Sequence, residues 1–146
     1  MTATSAREDA DIRERIDTLA GAIRAKDVDA LMAHYAPEVV VFDIRPPARI
    51  QGVDAYRKNF EAWFASVKGR IDYEVHDLSI ARSGDVAFCC CVSHVRSVRT
   101  TDEKPDYWVR VTSGLQKMGG QWLVAHEHIS MPIDLQTMQA ASGLRA

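Results

Sequence analysis

The chain lacks both an excess of charge and a long hydrophobic run. Its 146 residues include 18 lysines and arginines against 20 aspartates and glutamates, a formal net charge of −2 at pH 7. A chain without a basic field has little to hold a phosphate backbone, so we expect no binding to nucleic acid. No apolar run approaches the roughly 18 residues of a membrane span, and residues 1–11 lack the apolar core of a signal peptide. We therefore expect a cytoplasmic protein that does not bind membranes.

Cysteine is also scarce, and its placement argues against a disulfide or a zinc site. The three cysteines are the consecutive Cys89, Cys90 and Cys91. Neighbours on an extended strand point to opposite faces, and an i, i+2 pair lies near the upper limit of the Cα separation that a disulfide allows. Zinc needs more ligands at a better spacing. We predict small core residues here, and no cofactor.

What is present is the composition of one globular domain. The chain is 47% hydrophobic and 26% charged, and its length is close to the ~150 residues of a single domain. We predict one domain over residues 1–146. Within it, residues 133–146 follow Pro132 as a short helical or frayed tail.

Three helices are predicted in the N-terminal half. Apolar residues between Ile12 and Ile23 recur at spacings of +4, +3 and +4, as on one face of a helix. Asp27 can cap a second, short helix that Pro37 limits. A third helix follows Gly52 and carries an aromatic stripe, which needs a large apolar partner surface.

Strands make up most of the rest. Residues 39–42 form a first strand that ends at Asp43. From Gly69 onward apolar and polar residues alternate, which is the two-residue period of a strand. The parity of the apolar residues changes near His76 and Asp77, which predicts a β-bulge and a strong bend. Strands over 86–98, 107–117 and 121–131 complete the order ααβαββββ.

The dipeptide Gly119-Gly120 lets the register of the last hairpin be predicted. With these two residues in the turn, Ser113 faces His126 and Val111 faces His128. The two histidines would then share the apolar face of the hairpin. The other face is expected to carry the alternate residues Trp108, Arg110, Thr112 and Glu127.

The histidine pair allows three interpretations. Two histidines at i, i+2 are typical of metal sites, but a third ligand such as Asp43 would be needed. They can also form hydrogen bonds within or beside the core, or serve as the polar groups of an otherwise apolar ligand cavity. His34, His76 and His94 have no matching partner, and we expect them at the surface.

Asp43 is a candidate general base. It follows four apolar residues and precedes a proline-bounded loop, so it can lie at a cavity edge, where desolvation makes a carboxylate a stronger base. An aspartate that caps the loop is the alternative. Tyr56, Phe60 and Trp63 on the third helix can belong either to the core or to a cavity wall.

Together these residues resemble the nuclear transport factor 2-like superfamily, and within it the SnoaL-like subgroup, often labelled ketosteroid isomerase homologues. The resemblance rests on Tyr35-Ala36 before the first strand, Gly52 before the third helix, and residues 120–122 leading into the segment His-Glu-His-Ile-Ser at 126–130. It implies an α+β cone in which a strongly bent antiparallel sheet wraps around three helices. It also implies a pocket and a homodimer formed through the outer sheet face.

The resemblance also implies limits on the chemistry. Asp43 matches the general base of ketosteroid isomerase. In that enzyme a tyrosine and a protonated aspartate also form an oxyanion hole. Here Leu19 stands at the tyrosine position and Ser113 near the aspartate position. Loss of one such donor lowers a rate by about 100- to 1000-fold, so steroid isomerisation is not expected.

The leading hypothesis is a protein that binds a small apolar organic ligand in this pocket. As an isomerase, cyclase or hydratase acting on a small carbonyl compound, it would use Asp43, His126 and His128 as catalytic groups. The expected pocket wall is Tyr35, Tyr56, Phe60, Trp63, Val111 and Ser113.

Two other functions stay open because a fold does not fix an activity. One is a non-catalytic dimerisation or ligand-sensing module in which Trp108, Arg110 and Thr112 form the homodimer interface. The other is a metal-dependent enzyme that uses the pair His126 and His128.

Overall fold

The computed structural model describes residues 3–143 of the chain. Three helices precede most of the strands, as predicted. The elements in chain order are α1 (Ala3–Ala25), α2 (Val28–Met32), β1 (Tyr35–Phe42), β2 (Ile50–Gln51), α3 (Val53–Ala65), β3 (Val67–Ser83), β4 (Val86–Arg99), β5 (Asp106–Met118), β6 (Gln121–Ser130), β7 (Ile133–Asp134) and β8 (Gln139–Ala140).

The local signals that begin the second and third helices act as predicted. The Asp27 side chain accepts a hydrogen bond of 3.0 Å from the backbone N–H of Ala30, so it satisfies a free donor at the start of α2. Gly52 precedes α3 with a φ of +88°, a conformation that glycine adopts without strain. These two residues set where α2 and α3 begin.

Six strands form one sheet in the order β2-β1-β6-β5-β4-β3. All neighbours are antiparallel except β1 and β6, which run parallel. The expectation of a purely antiparallel sheet is therefore wrong for this one pair. Only tight hairpins force antiparallel pairing, and the long chain between β1 and β6 imposes no such constraint.

The sheet bends around the helices as the resemblance implied. The register between β3 and β4 shifts between His76 and Ser79, and Asp77 in that step has a φ of +56°. The bulge predicted at His76 and Asp77 is thus present, and it increases the local twist of the longest strand. A hydrophobic core fills the space between the helices and the inner face of the sheet.

The last hairpin follows the predicted register only near its turn. Met118 pairs with Gln121 and Leu115 pairs with Val124, as predicted. Beyond that point Ala125 is an extra residue, so Gly114 pairs with His126. A shift of one residue moves every later side chain to the opposite face.

The predicted faces are therefore wrong for the second half of β6. Ser113 pairs with Glu127 rather than with His126, and Val111 pairs with Ile129 rather than with His128. Glu127 is buried on the inner face, whereas the two histidines lie on the outer face. The physical reason is a β-bulge at Ala125, a position that no turn residue marks in the sequence.

The outer face carries three residues that were predicted to form a dimer interface. Arg110 and Thr112 are exposed, and the ring of Trp108 stacks on His94 with the centroids 4.3 Å apart. Dimerisation through this face stays a prediction.

The segment after Pro132 is a small hairpin rather than a helix. Strands β7 and β8 pair with each other, and the backbone N–H of Trp108 donates to the carbonyl of Ser142 at 2.8 Å. Residues 144–146 of the predicted tail lie outside the described residues. Within the described part of the chain, no helix has the length and apolarity needed to cross a membrane.

His34 departs from the expectation of a surface position. It lies between α2 and β1 and is only 5% exposed. Neither ring nitrogen has a hydrogen-bond partner among residues 3–143. Burial, followed by the nearby charge of Arg15, lowers the pKa of His34 to about 4.

We predict that His34 makes the fold less stable in mild acid. The unfolded chain takes up a proton near pH 6.5, which the folded chain accepts only near pH 4. The free energy of unfolding should therefore fall by up to about 3 kcal/mol between these pH values. Urea unfolding of wild type and His34→Gln from pH 7 to pH 4 measures the difference, with exposed His128→Gln as control. Parallel pH profiles for wild type and H34Q would contradict the prediction.

Candidate functional site

A cavity of about 100 Å³ lies between α1, α3 and the inner face of the sheet. Its wall is mostly aliphatic and aromatic. The residues predicted for the site that line it are Tyr35, Asp43, Tyr56, Phe60, Trp63, Val111 and Ser113. The structure thus brings together seven of the nine predicted site residues, and leaves out the two histidines.

Helix α3 supplies one wall of the cavity. Tyr56, Asn59, Phe60 and Trp63 all line it, because positions three, four and seven residues apart share one side of a helix. The rings of Tyr56 and Phe60 lie 4.7 Å apart between centroids, and Tyr35 of β1 meets Tyr56 edge to face at 5.0 Å. The aromatic stripe of the sequence is a cavity wall as well as a part of the core.

Glu127 supplies a buried carboxyl group to the cavity. The residue is only 5% exposed. Tyr56 donates a hydrogen bond of 2.7 Å to Oε1, and the Tyr35 hydroxyl lies 3.2 Å from Oε1 and 3.4 Å from Oε2. Ser113 donates to Oε2 at 3.3 Å. Three hydroxyl groups from three elements therefore converge on one carboxyl group.

Burial raises the pKa of Glu127 above its usual range. The hydrogen bonds from Tyr56, Tyr35 and Ser113 act in the opposite direction, and the charge of Asp43 raises the pKa further. Burial, followed by the charge of Glu127, also raises the pKa of Tyr35 and Tyr56 well above the ordinary value. The two phenols therefore keep their protons and remain hydrogen-bond donors.

Asp43 lies where β1 ends, beside the entrance of the cavity. Its Oδ1 accepts the backbone N–H of Ile44 at 2.7 Å, and its Oδ2 accepts the Asn59 amide N–H at 3.0 Å. The side chain is 9% exposed, and an Arg45 nitrogen lies 4.0 Å from Oδ2. Asp43 both lines the cavity and binds the backbone of the following loop, so the two interpretations from sequence do not exclude each other.

The two thiols in the cavity wall are poor nucleophiles. Burial raises the pKa of Cys89 to about 12 and that of Cys91 to about 11, and the thiolate is the reactive form of cysteine. Cys90 points the other way and is exposed, so only its two neighbours fit the prediction of buried, small residues. The acid–base groups of the cavity are therefore the carboxyls and the phenols.

The prediction that His126 and His128 face the cavity is wrong. His126 lies 2.7 Å through Nδ1 from the carbonyl oxygen of Val40, and His128 is exposed. Both rings pack edge to face against Phe42 on the outer side of the sheet. Asp43 lines the inner cavity instead, and no set of three metal-ligating side chains forms among residues 3–143.

Glu127, Asn59 and Arg45 are polar residues of the cavity that the sequence did not identify. Glu127 was assigned to the outer face because Ala125 gives no sign of a bulge; Gly114 in a strand interior was the available hint. Asn59 sits three residues after Tyr56 and four before Trp63, so the helical spacing that selected those two residues also selects it. Arg45 lies in an irregular loop, where no periodicity applies.

Comparison with known proteins gives one family and many similar structures. Residues 12–134 match the family described as a SnoaL-like domain. Among solved structures, an NTF2-like protein of unknown function from Pseudomonas putida KT2440 is 30% identical, with a TM-score of 0.84 over 100% of both chains. A search of curated proteins found no match.

Two further structures share the fold at lower identity. A protein of Novosphingobium aromaticivorans DSM 12444, named as a candidate scytalone dehydratase, is 21% identical, with a TM-score of 0.80 over 100% of this chain and 99% of that one. A ketosteroid isomerase-like protein of Erwinia carotovora atroseptica is also 21% identical. Its TM-score is 0.72 over 83% of this chain and 93% of that one.

The burial of Glu127 predicts a pH-dependent difference in stability between wild type and Glu127→Gln. The unfolded carboxyl group titrates near 4.5 and the folded one at higher pH, so the folded state holds a proton that the unfolded chain releases. The free energy of unfolding of wild type should therefore fall relative to that of E127Q as the pH rises from about 4.5. Urea unfolding at several pH values measures it. Exposed Glu38→Gln is the control, and a wild-type curve that rises relative to E127Q would refute the assignment.

Proposed function

The chain belongs to the SnoaL-like family of the nuclear transport factor 2-like superfamily, and on that premise we propose that it is an acid–base enzyme for a small carbonyl compound. Asp43 is the general base at the cavity entrance, and Glu127 is the general acid at the buried end. The observation that carries the proposal is the buried carboxyl group of Glu127 held by three hydroxyl groups beside a second carboxyl.

Two carboxyl groups in different surroundings can divide the acid and base roles between them. Glu127 is buried, and its raised pKa favours the protonated form. Asp43 accepts two N–H donors at the cavity entrance, and these hold its carboxyl group in place beside the ligand space. The Glu127 oxygen best placed to carry the proton is Oε2, because its two hydrogen bonds are the longer ones, at 3.3 and 3.4 Å.

The proposed step is the removal of a proton from the carbon next to a carbonyl group. Asp43 takes the proton, and the electron pair of the broken C–H bond forms a C=C bond as the carbonyl becomes an enolate. The Glu127 O–H donates a hydrogen bond to the enolate oxygen, which places a donor where negative charge develops. In a β,γ-unsaturated ketone the electron pair extends to the γ-carbon, and return of the proton there gives an isomerase; loss of a β-hydroxyl as water, with a proton from Glu127, gives a dehydratase.

The cavity limits the ligand to a small and mostly apolar molecule. A cavity of about 150 Å³ lined by apolar side chains holds benzene, and the volume here is about 100 Å³. This volume is too small to enclose a whole ring with its substituent, so the carbonyl end of the proposed ligand would lie in it. A single ring would extend toward the entrance, where Ile44 and Arg45 line the cavity and are exposed. The names isomerase-like and candidate scytalone dehydratase among the structural neighbours belong to the same two reaction types.

The proposal predicts that the protein exchanges the α-protons of small aryl ketones with solvent. Acetophenone and 1-indanone in D2O, followed by proton NMR, report the step whatever the final product is. A positioned base contributes about 100- to 10,000-fold, so Asp43→Asn should remove most of the catalysed exchange. Glu127→Gln should lower it by about 100- to 1000-fold, the effect of losing one oxyanion donor.

The neighbour of Glu127 provides a matched control. His128 lies one residue further along β6 but on the outer face, so His128→Gln should leave the exchange rate unchanged. Exchange that persists in D43N, or that is lost in H128Q rather than in E127Q, would refute the assigned roles.

Binding without exchange is the outcome that favours a non-catalytic ligand-binding module. 2-Naphthol can report binding in the cavity that Trp63 borders, because its fluorescence changes on transfer from water to an apolar site. We expect saturable binding that Phe60→Trp weakens by filling the cavity, together with ketone exchange. Saturable binding with no exchange of any ketone would contradict the enzyme proposal, and absence of both would contradict the pocket.

A further inference from the structure

A chain of three polar side chains crosses the entrance of the cavity. Arg45 donates a hydrogen bond of 3.2 Å from its guanidinium group to Asn59 Oδ1, and Asn59 Nδ2 donates one of 3.0 Å to Asp43 Oδ2. All three residues line the cavity. They come from two parts of the chain, since Asn59 belongs to α3 whereas Arg45 and Asp43 belong to the loop after β1.

Arg45 determines which way the Asn59 amide can turn. A guanidinium group has donors and no acceptor, so Asn59 must present its oxygen to Arg45. The amide nitrogen of Asn59 then faces Asp43. In the opposite orientation the Asn59 oxygen would meet the Asp43 carboxylate, and two acceptors would face each other. The contact of Arg45 therefore selects the orientation in which Asn59 donates to Asp43.

The direct effect of Arg45 on Asp43 is weaker than this indirect one. The closest guanidinium nitrogen lies 4.0 Å from Asp43 Oδ2, and the Arg45 side chain is 48% exposed. Water screens a pair of this kind, and such pairs contribute little. Glu127, Tyr56 and Tyr107 are the other titratable groups whose charges interact with Asp43.

We infer that Asn59 is a positioning residue for the Asp43 carboxylate and that Arg45 acts on Asp43 through Asn59. This inference rests on the proposed function for its role in catalysis, but the arrangement itself is independent of any substrate. Together with the backbone N–H of Ile44 on Oδ1, the Asn59 amide fixes both oxygens of Asp43. A fixed carboxylate directs its free lone pairs at the cavity, where a substrate C–H bond would lie.

The first test measures Asp43 itself and needs no substrate. The chemical shift of its carboxyl carbon at one fixed, neutral pH, recorded by 13C NMR and assigned with Asp43→Asn, reports the hydrogen bonds that the carboxylate accepts. Asn59→Leu removes one of these donors at nearly constant volume, so the carboxyl signal should move. Arg45→Met should move it in the same direction, because the Asn59 amide is then free to turn. Arg49→Met removes an equal charge from the same loop, where Arg49 bonds to Gln51, and should leave the signal unchanged.

A double-mutant cycle separates the two routes from Arg45 to Asp43. If Arg45 acts through Asn59, adding Arg45→Met to Asn59→Leu moves the carboxyl signal no further than N59L alone. If Arg45 acts directly by its charge, R45M adds its full change of the signal in both backgrounds, and the inference is overturned. An unchanged signal in N59L overturns it as well. Thermal unfolding of each variant checks that it is folded.

The exchange of ketone α-protons provides the catalytic readout. In N59L the rate at neutral pH should fall by about 10- to 100-fold. The expected changes of the Asp43 carboxyl signal without exchange in wild type would uphold the inference and refute the proposed function. Exchange that depends on Asp43, with no change of that signal in N59L, would uphold the proposed function and refute the inference.

Discussion

A carboxyl group buried in an apolar cavity has to be protonated or surrounded by hydrogen-bond donors, and this constraint at Glu127 organises the inner face of the protein. The donors come from Tyr35 on β1, Tyr56 on α3 and Ser113 on β5. The positions of two strands and one helix relative to β6 are therefore tied to one group. Hydrogen bonds inside a low-dielectric site are strong when all of them are made, and a missing partner there is costly. The same carboxyl group that shapes the cavity is the one to which the proposed function assigns the role of acid.

The fold could be read from the sequence where local chemistry decides structure. Asp27 and Gly52 mark the starts of two helices, the glycine pair fixes the last hairpin near its turn, and the parity change at Asp77 marks the bend of β3. The parallel pairing of β1 with β6 could not be read, because it joins segments that are far apart in the chain. Nothing in either strand alone states which direction its neighbour takes.

The candidate site was predictable in the same uneven way. Asp43 and the aromatic residues of α3 follow from the end of a strand and from helical spacing, and the structure places them at the cavity. The bulge at Ala125 has no side-chain signature, and it reverses the faces of every residue after it. This one position accounts for the exchange of Glu127 for the two histidines. The burial of His34, likewise, comes from the packing of α2 and β1 and not from its sequence neighbours.

The extra residue in β6 also has an evolutionary consequence. Deletion of the single codon for Ala125 would remove the bulge but leave Gly114 opposite His126 and Ser113 opposite Glu127, so the faces of the strand would not change. The two histidines would turn toward Ser113 and Val111 only if Ala125 itself took the place opposite Gly114. The strand thus carries an imidazole pair on one parity and a carboxyl group on the other, and the bulge selects the carboxyl group for the cavity. Loss of this one codon would therefore preserve the chemistry that the strand presents to a ligand.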